Sequence, residues 1–292
     1  MEARSGDRLG VVRTELEAMG VVPTSLEPIR EKDGIFVVRV RADGRTSVLK
    51  CFANPSHRRE IAAYSLLGEL GVATLRVLAA TESAILLEDI DASGRLRLGE
   101  PGDLADPLVA SRLARWYRVL HDAGAGFVIG AGADLYDETD VITEANLEAV
   151  ARRTGTESLP VWGVLRARLD EIKARVRALP RTLTYNDFAF TNLAVTRDSA
   201  LMFDYNLLGK GYVYSDLRNV CASLAEDAAA AFLDAYGEFD RTQAVVDDVA
   251  APLVALHFAC QRSRFPSWAK PELHVLEHDL ARRVEALLSG EV

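Results

Sequence analysis

The 292-residue chain carries 34 Lys and Arg against 43 Asp and Glu, a formal net charge of −9, with 49% hydrophobic and 26% charged residues. That acidity argues against a nucleic-acid binder, which needs a basic face for phosphates, and leaves room for a cationic partner. The cysteines, Cys51, Cys221 and Cys260, match neither zinc-site nor disulfide spacing, the first ten residues lack the apolar core of a secretory signal, and no apolar run of bilayer-spanning length is expected, so a reducing, cytoplasmic setting with no membrane partner is the simplest expectation.

Leu9, Val12, Leu16 and Met19 recur at helical spacing, predicting a helix over 7–19 that ends at Gly20. Val21–Pro28 reads as a break. Ile35–Val40 is β-branched and runs into Asp43-Gly44, a strong hairpin signal, with Ser47–Phe52 as the returning strand. Asn54 and Pro55 read as the cap and first position of a helix reaching about Leu70. Short strands follow near 76–79 and 84–88. From Leu104 the pattern turns mainly helical, with helices over 112–121, 161–179 and much of 216–288, interrupted by strands at 193–196 and 200–203. The expected architecture is α+β: a small antiparallel β-rich N-terminal lobe over 1–88, a large helical lobe over 89–292, and a hinge near 88–92. No repeats or low-complexity linkers are present.

The strongest chemical signal is Thr184-Tyr185-Asn186-Asp187-Phe188-Ala189-Phe190-Thr191-Asn192, in which Asp187 and Asn192 have the D-x-x-x-x-N spacing of a kinase catalytic loop. A carboxylate at 187 can orient a hydroxyl and accept its proton late. Asp204 closes the apolar strand Leu201-Met202-Phe203. Because residue 198 is the midpoint of 192 and 204, Asn192 and Asp204 are expected to face one another across a hairpin mouth. A neutral and an anionic oxygen ligand side by side suit Mg²⁺ on nucleotide phosphates.

Lys50 lies in a buried-looking strand, where an unpaired ammonium is costly, and Glu60 is its expected partner. Glu60, Tyr64 and Leu67 share one helix face, which directs the carboxylate inward. The alternative for Lys50 is an edge strand with the amine snorkelling to water.

With these residues the sequence resembles the aminoglycoside phosphotransferase and choline kinase superfamily, small-molecule kinases with a protein-kinase-like fold, from about Ile29 to the end of the helical lobe. The resemblance implies ATP or GTP as donor, Mg²⁺ as cofactor and an alcohol group as acceptor. It implies that Asp216, in Tyr214-Ser215-Asp216-Leu217, braces the catalytic loop, and that the backbone of Glu88-Asp89-Ile90 binds the adenine edge. Leu120-His121 matches the helix that precedes the catalytic region. Two positions depart from the family pattern. Tyr185 stands where histidine is common, and the loop between the first two strands, Glu31-Lys32-Asp33-Gly34, has a single glycine.

The acceptor is expected to be a cationic small molecule, such as an aminoglycoside or other antibiotic. Its candidate contacts are the carboxylates Asp137, Glu138, Asp140, Glu226, Asp227 and Glu272 with Trp268, since an aromatic wall with carboxylates suits an ammonium group. A choline- or sugar-type metabolite kinase and a catalytically silent nucleotide-binding regulator are the alternatives. Protein kinase activity is disfavoured, because no Ala-Pro-Glu segment follows Asp204. His274 and His278 read as a solvated helix face, the H-E-x-x-H order being absent.

Overall fold

The computed structural model describes residues 2–289. Helix α1 (Glu2–Ala18) leads into strands β1 (Ser25–Lys32), β2 (Ile35–Ala42) and β3 (Arg45–Phe52), joined as two consecutive hairpins. Both connections are two-residue Asp-Gly loops, Asp33-Gly34 and Asp43-Gly44, with φ at +53, +79, +49 and +72°. Positive φ at both central positions is the turn geometry that matches strand twist, and Asp and Gly tolerate it. Helix α2 (Arg59–Glu69) and strands β4 (Val77–Ala80) and β5 (Ala84–Glu88) complete a five-stranded antiparallel sheet of order β1-β2-β3-β5-β4, with β3 at its centre. One face of this sheet, including Val38, Val40, Leu49, Cys51 and Leu86, packs on Val12 and Leu16 of α1. Strand alternation sends Lys50 to the other face, between Val37 and Ile85. Lys50 is therefore on a central strand, not an edge.

Two local expectations are corrected. The stretch read as a break contains the start of β1, an edge strand with a bulge at Pro28 and almost wholly exposed side chains, so it lacks the alternation that marks a strand. Asn54 and Pro55 open a separate 3₁₀ turn, Pro55–His57, with Asn54 accepting from the Ser56 amide at 3.0 Å; α2 starts only at Arg59.

The remaining elements are β6 (Arg97–Leu98), α3 (Pro107–Ile129), α4 (Glu144–Thr154), α5 (Val161–Ala178), β7 (Thr182–Thr184), β8 (Leu193–Val195), β9 (Ala200–Met202), β10 (Gly209–Gly211), α6 (Val213–Cys221), α7 (Glu226–Tyr236), α8 (Thr242–Cys260), α9 (Lys270–His278) and α10 (Leu280–Ser289). The described chain divides into two compact units. The first takes in the segments up to Ala123, Asp187–Leu208 and Val220–Gly237; the second takes in Gly124–Asn186, Gly209–Asn219 and the chain from Glu238 onward. Residues 88–92 lie inside the first unit, where β5 ends and a 3₁₀ turn spans Ile90–Ala92. That unit also contains the antiparallel β6-β8-β9 sheet. The second unit holds the two-stranded β7–β10 ribbon and a helical core to which α4, α5, α8, α9 and α10 all contribute. Helix α8 has the length and hydropathy of a bilayer span, contrary to the sequence expectation. Its Val249, Leu253 and Leu256 belong to the helical core, which accounts for its apolar composition.

Candidate active site

On α2 the buried positions are Glu60, Ala63, Tyr64 and Leu67, the i, i+3, i+4, i+7 face that packs inward. Lys50 Nζ donates to Glu60 Oε2 at 2.6 Å and to Asp204 Oδ1 at 2.8 Å. Lys50 is 8% exposed and Glu60 fully buried. Burial pushes the Glu60 carboxyl up to about 7; the neighbouring Asp204 charge adds to the rise, and Lys50 opposes it. Burial also disfavours the Lys50 ammonium, but Glu60 and Asp204 together outweigh it and hold its pKa above the ordinary value. Two carboxylates around one ammonium leave an uncompensated negative charge, which accounts for Lys50 holding its proton more tightly, while for Glu60 burial is the leading cause.

Asp204 reaches Lys50 because its own backbone is left-handed, φ +66°, a conformation that aspartate tolerates better than most residues. The expected hairpin needs one adjustment. Leu193 pairs with Met202 and Val195 with Ala200, so Asn192 lies opposite Phe203, whose amide donates to the Asn192 carbonyl at 2.9 Å. The turn has four residues, Thr196–Ser199, instead of three, which moves Asp204 one position past Asn192. Asn192 ends a 3₁₀ turn, Phe190–Asn192, and its Nδ2 approaches the Asp187 carbonyl oxygen at 3.4 Å and Oδ2 at 3.5 Å. The Asn192 side-chain oxygen and the Asp204 carboxylate, about a third exposed, are each hard oxygen donors of the kind Mg²⁺ takes. Gly99 holds this turn from outside: its amide donates to the Leu193 carbonyl at 2.7 Å, and a Cβ at this position would stand 2.3 Å from the Phe190 carbonyl oxygen.

In the second unit, β7 leads into Tyr185 and Asn186. The Asp216 carboxylate, on the first turn of α6, accepts from the Tyr185 amide at 2.7 Å and the Asn186 amide at 2.9 Å. Asn186 is left-handed, φ +66°, and Asp216 is 1% exposed. A buried carboxylate thus holds a left-handed turn immediately before Asp187.

The other expected contacts are distributed as follows. The Glu88 carboxylate accepts from the Arg76 amide and from Arg95, and Asp89 accepts from Arg39 Nε at 2.7 Å, so at both positions the side chain is occupied. Ile90 is buried. Asp137 is also buried; it caps the 3₁₀ turn Glu138–Val141 through the Thr139 amide and pairs with Arg181 at 3.4 Å, so its carboxylate is committed to structure. Glu138 is half-buried and Asp140 exposed. Trp268 is 54% exposed. Burial raises the Glu272 carboxyl while Arg218 and Arg283 oppose the rise. Glu226 and Asp227 are exposed on the first turn of α7, where carboxylates complement the helix dipole; they belong to the first unit, whereas the rest of this group belongs to the second. His274, Glu277 and His278 are exposed, with ligating atoms within 4.8 Å of one another.

Sequence reasoning missed a buried network beside α6. Asp247 of α8, 1% exposed, accepts from Tyr212 Oη at 2.7 Å and from Arg218 Nε at 2.6 Å. Its signal was available as an acidic pair, Asp247-Asp248, inside an otherwise apolar helix.

Residues 29–253 match the phosphotransferase enzyme family, APH. No curated protein matches the chain. Among solved structures it is similar to macrolide 2′-phosphotransferase MphH from Brachybacterium faecium (18% identity, 90% of this chain and 96% of that chain covered, TM-score 0.59). It is also similar to the choline kinase LicA from Streptococcus pneumoniae (11% identity, 97% and 99% covered, TM-score 0.60). A third neighbour is the AMP-bound complex of spectinomycin phosphotransferase APH(9)-Ia (12% identity, 95% and 97% covered, TM-score 0.62). At these identities the likeness is one of fold, the protein-kinase-like fold of small-molecule phosphotransferases.

Proposed function

The chain belongs to the phosphotransferase enzyme family and is a phosphotransferase with an alcohol group as acceptor; from that premise we propose a magnesium-dependent kinase that moves the γ-phosphate of ATP or GTP to a hydroxyl of a small, cationic acceptor. The observation that carries this reading is Lys50, clasped between Glu60 and Asp204 in the same unit as Asp187 and Asn192. Phosphoryl transfer through a loose transition state depends on positioning and charge neutralisation, and these residue types supply both.

In this reading Glu60 fixes Lys50, and Lys50 holds the α- and β-phosphates. Asn192 and Asp204 would hold Mg²⁺, which when bound neutralises charge on the phosphates. Asp187 orients the acceptor hydroxyl and takes its proton late. A carboxylate of ordinary pKa, about 3.9, is a weak base, so proximity supplies most of its effect. Asp216 braces the turn that presents Asp187. The backbone at Glu88–Ile90 receives the adenine edge, since the carboxylates there are occupied.

A cationic acceptor is supported by the net charge of −9 and by the exposed carboxylates Glu226 and Asp227, in the unit that carries Asp187. Antibiotics and choline- or sugar-type metabolites are the candidate classes. The Asp137 carboxylate is paired with Arg181 and is not a contact for the acceptor. A cytoplasmic setting suits three free cysteines.

One observation favours the silent nucleotide-binding regulator: the β1–β2 connection is a two-residue turn, too short for a glycine-rich flap over phosphates. A screen of hydroxylated amines, antibiotics and sugars for stimulated ADP or GDP release with Mg²⁺ separates the two. Acceptor-dependent release is expected; saturable nucleotide binding with no release from any acceptor would favour the regulator. By calorimetry, Asp204→Ala should abolish the Mg²⁺ enhancement of nucleotide binding.

A further inference from the structure

The second unit contains a cavity of about 370 Å³ at the N-terminal end of β7, the end away from the Tyr185–Asn186 turn. Its walls bring together the last turn of α3, the last turns of α5 and the middle of β10. Four cationic side chains line it, Lys173, Arg177, Arg181 and Lys210, against two carboxylates, Asp137 and Asp140. In a chain with nine more acidic than basic residues, this is a local excess of two positive charges.

How the charges are held is informative. Asp137 is spent on Arg181 at 3.4 Å. Lys173 and Arg177 sit at i, i+4 on α5, a like-charge spacing that destabilises a helix, and neither has an ion-pair partner among the described residues. Arg181 Nη1 is buried with no hydrogen-bond partner, although its Nη2 reaches Thr139 Oγ1 at 3.4 Å. A buried donor left unmet is costly, and an oxyanion would satisfy it. Behind the cations the wall is apolar, with Val128, Ile142 and Val176 all buried. Cations at the edge and aliphatic side chains within fit a ligand with a doubly charged head and a small apolar body, and the volume is that of a small-molecule site.

We propose that this cavity binds a small organic phosphate monoester, at a site separate from the one that carries out phosphoryl transfer. The dianionic head meets Lys173, Arg177 and Arg181, and the organic body lies against Val128, Ile142 and Val176.

Phenyl phosphate is the probe, titrated calorimetrically into the full chain at fixed ionic strength. A saturable heat is expected, with inorganic phosphate binding more weakly because it leaves the apolar wall unused. Lys173→Gln removes a side chain with no ion-pair partner among the described residues and Arg177→Gln one whose visible role is a cation in the last turn of α5; each should weaken binding about tenfold or more with at most a small change in melting temperature. Lys50→Ala and saturating adenosine, which has no phosphate to compete for the cavity, should leave phenyl phosphate binding intact. Loss of binding on Lys50→Ala, or displacement by adenosine, would assign the probe to the nucleotide site and overturn the proposal. So would undiminished binding in both glutamine variants, equal affinity for inorganic phosphate, or no heat at all.

Discussion

Glu60 is a carboxyl held out of water by α2 and β3, and its protonation links the site to pH. Its pKa rises from an ordinary 4.5 to about 7 on folding, chiefly through burial. The folded state therefore binds more protons than the unfolded state across that window. Stability contributed by this group is full below about 4.5, declines as pH rises towards 7, and is level above it. Lys50, also raised, keeps its contribution to beyond its ordinary range and does not change within the window. The melting temperature of the parent minus that of Glu60→Gln should fall as pH is raised from about 5 to about 7.5; a difference that stays flat would contradict the buried, proton-retaining carboxyl. The position of Glu60 was legible because helical spacing with Tyr64 and Leu67 directs it inward. The second partner of Lys50 was not. Asp204 is 154 positions away and reaches the amine through a left-handed backbone, which no local pattern announces.

Among the elements, the short β6–β8 pairing sets the position of the Asn192 turn. A Cβ at Gly99 would meet the Phe190 carbonyl oxygen at 2.3 Å and Leu193 Cβ at 2.8 Å, and a backbone atom has little room to move. Gly99→Ala should displace the Phe190–Asn192 turn and lower kcat by about 100-fold, since ångström-scale misplacement has effects of that order. Gly102→Ala, where an added Cβ meets nothing within 4 Å, is the matched control and should behave as the parent. Equal activity in the two variants would show that the β6 contact does not position the loop. The strongly patterned elements, β2, β3, the β8–β9 hairpin and α5, are readable from alternation, turn chemistry and helical period. Elements that resist reading have physical reasons: β1 is an exposed edge strand broken at Pro28, β6 is two residues long, and the Asn54 cap belongs to a 3₁₀ turn. The hairpin register was displaced by one because the turn takes four residues.

For the whole molecule, an α+β chain with a β-rich front and a helical remainder follows from the change in periodicity along the sequence. The two compact units do not follow from it, because α7 and the β8–β9 hairpin join the first unit from distant positions in the chain. Net charge is likewise a property of the whole: −9 predicts attraction of a cationic acceptor, and screening should raise its KM as salt increases from about 50 to about 500 mM. A KM indifferent to salt, or a neutral acceptor, would show that the acidity is only a solvated surface. In the proposed mechanism phosphate transfer runs through Asp187, with Lys50, Asn192 and Asp204 holding the nucleotide and its metal. The measurement that tests it most directly is turnover and nucleotide affinity of Asp187→Asn, side by side with the parent, on the acceptor that gives the fastest ADP or GDP release. Turnover should fall by at least about 100-fold, with nucleotide affinity within a few-fold of the parent. Turnover within a few-fold of the parent would contradict it.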